Sequence, residues 1–193
     1  MTISGTAGSE YISGDLAGDV IAGNQGNDTI KGAAGDDFLL GNTEDDLVVG
    51  DSGADSIYGG RNNDFLLGNV GNDVVYGDLG NDWLFGGQGQ DTLYGGEGDD
   101  TLSGDRGADM LIGGEGADNF QFNVRRVFMD GTVDKIMDFE LGVDKISLKN
   151  GDTSLLSFED AGSDVHILYD GVLVGVIVGM ENVPGNTDIL LGV

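Results

Sequence analysis

The chain of 193 residues has no cysteine, a single histidine and only eight lysine and arginine residues. Without cysteine, no disulfide can hold the fold together and no thiol chemistry is available. One histidine, His166, cannot build a His-rich zinc site, and the sequence contains no G-x-S-x-G nucleophile motif. We therefore expect that this chain is not an enzyme.

Clusters of basic residues and long apolar runs are missing as well. The 35 Asp and Glu residues give a net charge of −27, which excludes a nucleic-acid partner because phosphate contacts need clustered Lys and Arg. The longest nearly apolar run, residues 172–180, is too short to cross a bilayer, so we predict no transmembrane segment. Residues 1–4 have no basic region and lead directly into a repeat, so no Sec-type signal peptide is expected.

Glycine, in contrast, is abundant, with 37 residues, and it marks a period of nine. Thirteen consecutive nine-residue units run without insertion or deletion over residues 5–121. The first position is Gly in every unit, the sixth is Asp in twelve units and Glu10 in the first, and the eighth is always apolar. Residues 86–94 are one such unit and read Gly-Gly-Gln-Gly-Gln-Asp-Thr-Leu-Tyr.

Positions 7 to 9 of each unit are the only stretch with strand character, so three-residue strands are predicted there, with position 8 pointing inward. The six preceding residues indicate a turn. Gly, Asn or Asp occupies the second position in eleven units and Gly the fourth in ten, and these residues tolerate a positive φ. Two units would close one coil of 18 residues and place each unit over the next but one. The predicted fold is an all-β parallel β-roll.

This stacking would align the sixth-position carboxylates in two columns. Such columns would repel themselves apart unless a hard divalent cation lay between neighbours, and calcium fits because it accepts six to eight oxygens, backbone carbonyls included. The first column contains Asp19, Asp37, Asp55, Asp73, Asp91 and Asp109, and the second contains Asp28, Asp46, Asp64, Asp82, Asp100 and Asp118. The alternative is a solenoid without metal, in which Asp only forms turns. We disfavour it because turns would also accept Asn or Ser, yet all thirteen units carry a carboxylate at this position.

The unit G-G-x-G-x-D-x-U-x, where U is a large apolar residue, resembles the hemolysin-type calcium-binding repeat of RTX proteins. The resemblance implies a right-handed roll in which each calcium lies between turns of adjacent coils. One turn would provide the backbone carbonyls of its positions 1 and 3, and the turn on the next coil would provide those of its positions 2 and 4. Each of the two turns would also provide its position-6 carboxylate. The best-matched pairs join Gly86, Gln88 and Asp91 to Asp105, Gly107 and Asp109, and Gly95, Glu97 and Asp100 to Gly114, Gly116 and Asp118.

Pairing units two apart allows at most eleven Ca²⁺ ions, which would reduce the net charge from −27 to −5. Some of these sites should be weakened where a unit departs from the pattern, at Glu10, Ala17, Ala33, Glu44 and Asn62. Thirteen inward side chains make a thin core, and self-repulsion favours the unfolded chain. Without calcium the roll is therefore not expected to fold.

The period ends near residue 122, so we divide the chain into a β-roll at 1–121 and a capping and secretion segment at 122–193. Residues 134–139 (D-K-I-M-D-F) and 142–148 (G-V-D-K-I-S-L) resemble segments that follow the repeats in exported RTX proteins. A hairpin is predicted next, with strands at 165–169 and 172–178 joined by Asp170-Gly171. Residues 188–193 resemble the tail of type I secretion substrates, which implies export with an uncleaved C-terminal signal.

Two outward faces carry large side chains. Leu47, Val49, Phe65, Leu67, Trp83 and Phe85 should form one apolar patch, which predicts a contact either with the segment after Phe122 or with a second copy or protein partner. Tyr58, Tyr76 and Tyr94 should form a column on the other side. Cross-strand stacking explains that column best, and sugar binding is the alternative.

Together these features predict a secreted, calcium-binding RTX module with a structural or interaction role. The first alternative is a carbohydrate-binding accessory module, since the chain also resembles the non-catalytic RTX modules attached to alginate-modifying enzymes. The second is a detached C-terminal part of a larger exported enzyme.

Overall fold

The computed structural model describes residues 1–124, 131–180 and 190–192. The repeat region forms fourteen strands, of which the first two are three residues long and the next eleven are six residues long. They are β1 Thr2–Ser4, β2 Tyr11–Ser13, β3 Val20–Gln25, β4 Thr29–Ala34, β5 Phe38–Thr43, β6 Leu47–Ser52, β7 Ser56–Arg61, β8 Phe65–Val70, β9 Val74–Leu79, β10 Trp83–Gln88, β11 Thr92–Glu97, β12 Thr101–Arg106, β13 Met110–Glu115 and β14 Asn119–Phe122.

Odd-numbered and even-numbered strands form two separate parallel sheets, because the chain alternates between them. Within a sheet each residue lies opposite the one eighteen positions away: Leu84, for example, pairs with Leu66 on one side and Leu102 on the other. The predicted coil of 18 residues is therefore confirmed. The position-8 side chains line the space between the sheets, and from Ile21 to Phe120 they are fully buried.

The prediction of three-residue strands was wrong for most of the roll. Strands β3 to β13 continue through positions 1 to 3 of the following unit, where Asn24 pairs with Asn42 and Gln25 with Thr43. The residues at positions 2 and 3, which were predicted to lie in turns, therefore pair in the parallel sheet with the same positions of the coils above and below. Single-residue propensity cannot reveal this pairing, since it comes from stacking between coils.

Units 3 to 13 have a positive φ at both position 2 and position 4. Three of the expected departures adopt this conformation nevertheless: Ala33 with φ 82°, Glu44 with φ 72° and Asn62 with φ 76°. Ala17 does not, because within the described residues units 1 and 2 have no positive φ at either position. The departures therefore leave the backbone of the turn unchanged in units 3 to 13.

Both sheets continue beyond the repeat. Strands β15 Asp134–Ile136 and β16 Lys145–Leu148 pair in parallel with β13 and β14, and a short 3₁₀ helix at Thr153–Leu155 precedes β17 Leu156–Asp160. The predicted hairpin is confirmed as β18 Val165–Tyr169 and β19 Val172–Ile177, with φ of 50° at Asp170 and 74° at Gly171. Strand β19 also pairs in parallel with β15, so the hairpin extends the odd-numbered sheet. The domain boundary at residue 121 stays a prediction.

The C-terminal tail is described only at β20 Leu190–Gly192, whose backbone pairs in parallel with β16. The rest of the predicted secretion tail lies outside the described residues. In the part of the chain that the structure describes, no helix has the length and apolar character needed to cross a membrane.

Candidate metal sites along the edges of the roll

The two predicted columns of aspartates are present along the edges of the roll. All twelve sixth-position aspartates, from Asp19 to Asp118, are buried, each with at most 3% of its surface exposed. From Asp37 onward, Oδ1 accepts a hydrogen bond from the backbone N–H of the aspartate one coil earlier. Asp55 N lies 2.8 Å from Asp73 Oδ1, and Asp73 N lies 2.8 Å from Asp91 Oδ1. Each column is therefore a continuous ladder that uses one oxygen of each carboxylate.

The second carboxylate oxygen has no such partner along most of both columns. Among the described residues, Oδ2 is buried without a hydrogen bond in Asp28, Asp37, Asp46, Asp55, Asp64, Asp73, Asp82, Asp91, Asp100 and Asp118. A buried, unsatisfied charged oxygen is costly, and native proteins rarely contain ten of them. This pattern indicates that a group other than protein completes the sites.

The invariant glycine at position 1 gives these oxygens room. A Cβ built on Gly59 would lie 2.9 Å from the carbonyl oxygen of Gly77, in the next coil, and would also collide with the Asp64 carboxylate. The same crowding recurs at Gly77 and Gly95. Only glycine therefore lets the carboxylate and the carbonyl of the following coil come together at this point. The space and the oxygen donors both suit calcium, which binds carboxylates and carbonyls in flexible geometry.

The first best-matched pair of turns is stacked as predicted. Gly87 lies opposite Asp105, and Asp91 N donates to Asp109 Oδ1 at 2.9 Å. Gly89 N donates to Arg106 O at 2.9 Å, which binds the two turns together. The structure thus brings Gly86, Gln88 and Asp91 against Asp105, Gly107 and Asp109.

The second best-matched pair has the same arrangement on the other edge. Gly96 lies opposite Gly114, and Asp100 N donates to Asp118 Oδ1 at 2.9 Å. Gly95, Glu97 and Asp100 therefore lie against Gly114, Gly116 and Asp118. The carbonyl of Glu97 already accepts a bond from Gly80 N at 2.9 Å, and that of Gln88 accepts one from Gly71 N at 2.8 Å. A carbonyl oxygen has two lone pairs, so each retains one for a further ligand. Ligation by these residues stays a prediction.

Burial raises the pKa of the aspartates in the middle of the roll, and the neighbouring carboxylates add to the effect at most of them. The pKa rises to about 8 for Asp64 and Asp91, and to about 7 for Asp100. It rises to about 6 for Asp46, Asp55, Asp73, Asp82 and Asp118. Holding both columns ionised at neutral pH therefore costs free energy in the absence of a cation.

Asp19, in the first complete coil, differs from these residues. Its pKa is lowered, chiefly by the hydrogen bond with the Met1 amine and then by the backbone N–H of Asp15. The Met1 nitrogen lies 2.5 Å from Asp19 Oδ1, and Asp15 N lies 2.9 Å from Oδ2. At Asp19 the Met1 amine and the Asp15 N–H therefore contact the two carboxylate oxygens. In most of the interior aspartates, one oxygen has no hydrogen-bond partner among the described residues.

No group of three or more His, Cys, Asp or Glu side chains converges as a metal cluster within residues 1–124, 131–180 and 190–192. The ladder explains this, because successive carboxylates in a column are separated by a whole coil. A site between two coils would be built mainly from backbone carbonyls, which is a donor set that calcium accepts and zinc does not favour.

Sequence reasoning missed two residues that continue the columns. Asp109 N donates to Asp134 Oδ1 at 3.1 Å, and Asp118 N donates to Asp144 Oδ1 at 3.0 Å. Both aspartates begin an Asp-Lys-Ile sequence, and Ile136 and Ile146 lie opposite position 8 of the preceding coils. That repeated tripeptide was the available signal, although the loops before it do not match the nonapeptide.

A second ladder, at position 5, was also missed. Here side-chain oxygens on the outside of the turns accept backbone N–H groups from the next coil: Asn63 Oδ1 bonds Asn81 N at 2.8 Å, and Asn81 Oδ1 bonds Asp99 N at 3.1 Å. On the opposite edge Asn72 Oδ1 bonds Gln90 N at 2.8 Å. These bonds hold neighbouring turns in line and therefore help to position the carbonyls.

The column of tyrosines is stacked as expected. The rings of Tyr58 and Tyr76 are 4.7 Å apart at 8°, and those of Tyr76 and Tyr94 are 4.7 Å apart at 4°. Such nearly parallel pairs use both faces of the Tyr76 ring. Cross-strand stacking is therefore confirmed, and sugar binding stays a prediction.

The predicted apolar patch is only partly exposed. Trp83 is 49% exposed and Phe65 39%, and their rings stack 6.3 Å apart. Val49 and Phe85, although at the outward-facing position 9, are buried, at 6% and 8%. Lys149, from the segment after the repeat, lies over Phe85 with Nζ 5.0 Å from the ring centre. Coverage of the remaining surface by a partner stays a prediction, and a quencher that reached Trp83 in the working protein would contradict it.

Comparison with known proteins agrees with this geometry. The family model of the RTX calcium-binding nonapeptide repeat matches residues 4–39, 13–48, 40–75, 58–93 and 85–120, which together span more than half of the chain. The chain therefore belongs to the RTX calcium-binding repeat family. The repeats of this family bind Ca²⁺ and are typical of extracellular proteins exported by type I secretion.

Solved structures with similarity to the chain include the AlgE6R3 subunit of mannuronan C5-epimerase from Azotobacter vinelandii. That match has 20% identity, a TM-score of 0.27, and covers 91% of this chain and 73% of the other. The extracellular lipase LipA from Serratia marcescens matches at 15% identity with a TM-score of 0.30, over 97% of this chain and 39% of the lipase chain. At these TM-scores neither similarity carries a functional argument. No curated protein matches the chain.

Proposed function

We propose that this chain is a secreted module that folds when calcium binds and then acts as a structural or interaction component outside the cell. The observation that carries the proposal is the set of ten buried Oδ2 atoms that lack a hydrogen-bond partner among the described residues, arranged in two columns along the edges of the roll. In that part of the chain, hydrogen bonding satisfies only one oxygen of each of these carboxylates.

The sixth-position carboxylates and the turn carbonyls at positions 1 to 4 would hold the ions, at most eleven between stacked repeat units. When bound, calcium supplies positive charge that removes the mutual repulsion of the carboxylates. The chain's own residues provide the shape of each site. The position-1 glycines leave space, the positive-φ residues at positions 2 and 4 direct the carbonyls, and the ladders through Oδ1 set the distance between coils.

This coupling suits export. In a compartment with little free calcium, a net charge of −27 and a thin core keep the chain unfolded, as passage through a secretion channel requires. Outside the cell, calcium at millimolar concentration would fold it. We propose type I secretion with an uncleaved C-terminal signal, although most of the candidate tail lies outside the described residues.

We also propose that the chain has no catalytic activity of its own. His166 lies on β18 between Glu159 of β17 and Val176 of β19, in the middle of the antiparallel ladder. Ser52, in the segment Gly50-Asp51-Ser52-Gly53, occupies a turn of the repeat, and its hydroxyl donates to Ala33 O at 3.3 Å. Within the described residues, no hydrogen bond joins His166 to a hydroxyl that could act as a nucleophile.

The two alternatives remain open to direct tests. A glycan array in the presence of calcium would identify a carbohydrate-binding module. The nucleotide sequence upstream of Met1 would show whether the reading frame continues into a larger protein.

Calcium titration followed by circular dichroism tests the main proposal. We expect a disordered spectrum in excess chelator and a cooperative gain of strand signal, with affinities on the order of 10⁻⁴–10⁻³ M. Magnesium at equal concentration is the matched control and should fold the chain poorly, because it dehydrates reluctantly and demands octahedral geometry. A strand-rich spectrum that persists unchanged in chelator would refute calcium-coupled folding.

A further inference from the structure

Each sheet has a groove on its outer surface. Both grooves are lined by position-9 side chains, which form one wall, and by position-2 residues of the following units. On the odd-numbered sheet the cavity has a volume of about 600 Å³, and Tyr58, Tyr76 and Tyr94 form the wall. On the even-numbered sheet it has about 170 Å³, with Phe85 in the wall. We call the first the tyrosine groove and the second the phenylalanine groove.

A lysine of the chain itself already lies in the phenylalanine groove. Lys149 follows β16, outside the repeat, and its ammonium lies 5.0 Å from the centre of the Phe85 ring. The same groove includes the carboxylate-bearing residue Asp105, at position 2 of its unit. A cation over an aromatic ring with a carboxylate nearby is a favourable combination. The surface of this roll therefore has a groove that accepts a lysine side chain.

The tyrosine groove also combines aromatic side chains with carboxylates, and its lining contains no lysine within the described residues. Asp78 is at position 2 of its unit, as Asp105 is, and Glu97 is at position 3. Arg61 is the only basic residue in its lining, and every lining residue in the described part of the chain belongs to the repeat. Two carboxylates beside a single guanidinium, on a chain of net charge −27, favour a cationic ligand.

We propose that the tyrosine groove binds a lysine side chain carried by an extended segment of a partner polypeptide. The ammonium would be held by Asp78, Glu97 and the tyrosine hydroxyls, and the aliphatic stem would lie along the edges of the rings. A sugar would need free ring faces, whereas both faces of Tyr76 lie against neighbouring rings. This inference deepens the interaction role proposed above, and it requires the calcium-loaded roll.

The test uses the full chain in calcium at physiological salt, with tyrosine labelled for NMR and a capped pentalysine peptide as the probe. We expect saturable shifts at Tyr58, Tyr76 and Tyr94 and none at Tyr11 or Tyr169. The fluorescence of Trp83, on the opposite face, should stay constant. A pentapeptide with acetylated lysines should leave all five tyrosines unchanged, and equal shifts with that peptide would overturn the role of the ammonium.

Asp78→Asn is the decisive variant, and Asp51→Asn is its matched control. Both change one charge at position 2, where the repeat also uses Asn24, Asn42 and Asn69, so both should fold. An exposed ion pair is worth up to about 1 kcal/mol, so Asp78→Asn should weaken pentalysine binding about two- to fivefold and Asp51→Asn should not change it. Equal weakening by both variants would mean general attraction to an acidic surface and would overturn the proposal.

Three other outcomes would also overturn it, each in a distinct way. Shifts of the three tyrosines with a neutral or uronic oligosaccharide, but not with pentalysine, would identify a carbohydrate groove. Changes in the NMR signals of the three tyrosines when the protein is diluted without peptide would identify a second copy of the chain as the occupant of the groove. Absence of pentalysine binding by a chain that folds with calcium would refute this inference alone, whereas loss of calcium-coupled folding would refute the proposed function.

Discussion

The first two units of the roll differ from the other eleven in backbone conformation, although they share the repeat. Strands β1 and β2 are edge strands of three residues, and the turns of units 1 and 2 have no positive φ at positions 2 and 4. Gly8 occupies position 4 of unit 1 and still does not adopt it, whereas Ala33 and Glu44 adopt a positive φ in later units despite their side chains. The turn conformation therefore depends on stacking upon a preceding coil more than on the residue at each position.

The carboxylates differ between the two regions in the same way. Asp19 has a lowered pKa because the Met1 amine and the Asp15 backbone reach it, whereas burial raises the pKa of Asp91 to about 8. The cost of ionising the carboxylates is therefore highest in the interior coils.

The largest effect should be the pH dependence of the chain without calcium. The folded pKa values of about 6 to 8 in the interior lie above the ordinary value of 3.8, so protonation stabilises the folded state. This contribution is fully present below pH 4 and is lost as the pH rises through 6 to 8. Calcium-free protein should therefore show more strand signal by circular dichroism at pH 5 than at pH 8.5.

With calcium the direction should reverse, because protons compete with the metal for the same carboxylates. The calcium midpoint should rise as the pH falls from 7.5 to 5.5. Spectra of the calcium-free chain that superimpose at pH 5 and pH 8.5, at constant ionic strength, would show that the buried columns do not titrate.

The next effect should come from Asp100→Ala compared with Asp19→Ala. Asp100 Oδ1 accepts from Asp82 N at 2.7 Å, so alanine leaves a buried N–H unsatisfied, which costs about 1–3 kcal/mol, and it removes a candidate ligand as well. We expect units 10 to 13 to nucleate folding while units 1 and 2 fray, as in other repeat proteins. Asp100→Ala should raise the calcium midpoint more than Asp19→Ala.

Asparagine at the same two positions is the control, since its amide oxygen preserves the acceptor but not the charge. Asp100→Asn should therefore lie between wild type and Asp100→Ala. Equal shifts of the calcium midpoint for the two alanine variants, or a larger shift for Asp19→Ala, would show that units 10 to 13 do not nucleate folding ahead of units 1 and 2.

A smaller effect is expected from adding one methyl group to a glycine. At Gly95 a Cβ would collide with the Asp100 carboxylate and the Gly113 carbonyl, whereas at Gly8 no atom lies within 4 Å. Neither glycine has a positive φ, so the comparison isolates space from backbone strain. Gly95→Ala should destabilise the calcium-loaded protein by about 1–3 kcal/mol in denaturant titration. Gly8→Ala should be neutral, and a comparable loss there would argue against the crowding at position 1.

Much of this architecture could be predicted from the sequence, because the period of nine fixes which residues stack. The coil of 18, the inward position 8, the two columns and the Asp170-Gly171 hairpin all follow from the spacing of Gly, Asp and apolar residues. The length of the strands and the positive φ of Ala33 did not follow, since both depend on contact with a neighbouring coil. Asp134 and Asp144 were missed because the loops that bring them into line do not keep the period.

The smallest effect is expected when an alanine in a turn is replaced by glycine, in the interior of the roll and in its first coil. Ala33, at position 2 of unit 4, has a φ of 82°, which costs a residue with a Cβ roughly 1–2 kcal/mol. Glycine removes that strain but has more freedom in the unfolded chain, worth about 0.5–1 kcal/mol, so Ala33→Gly should stabilise the protein by roughly 0.5–1 kcal/mol. Ala17, in unit 2, has no positive φ, and Ala17→Gly should therefore be neutral or destabilising. Thermal melting in saturating calcium measures both variants. Stabilisation by both would mean that the turn of unit 2 adopts the interior conformation once calcium is bound, and the contrast between the two regions would then disappear.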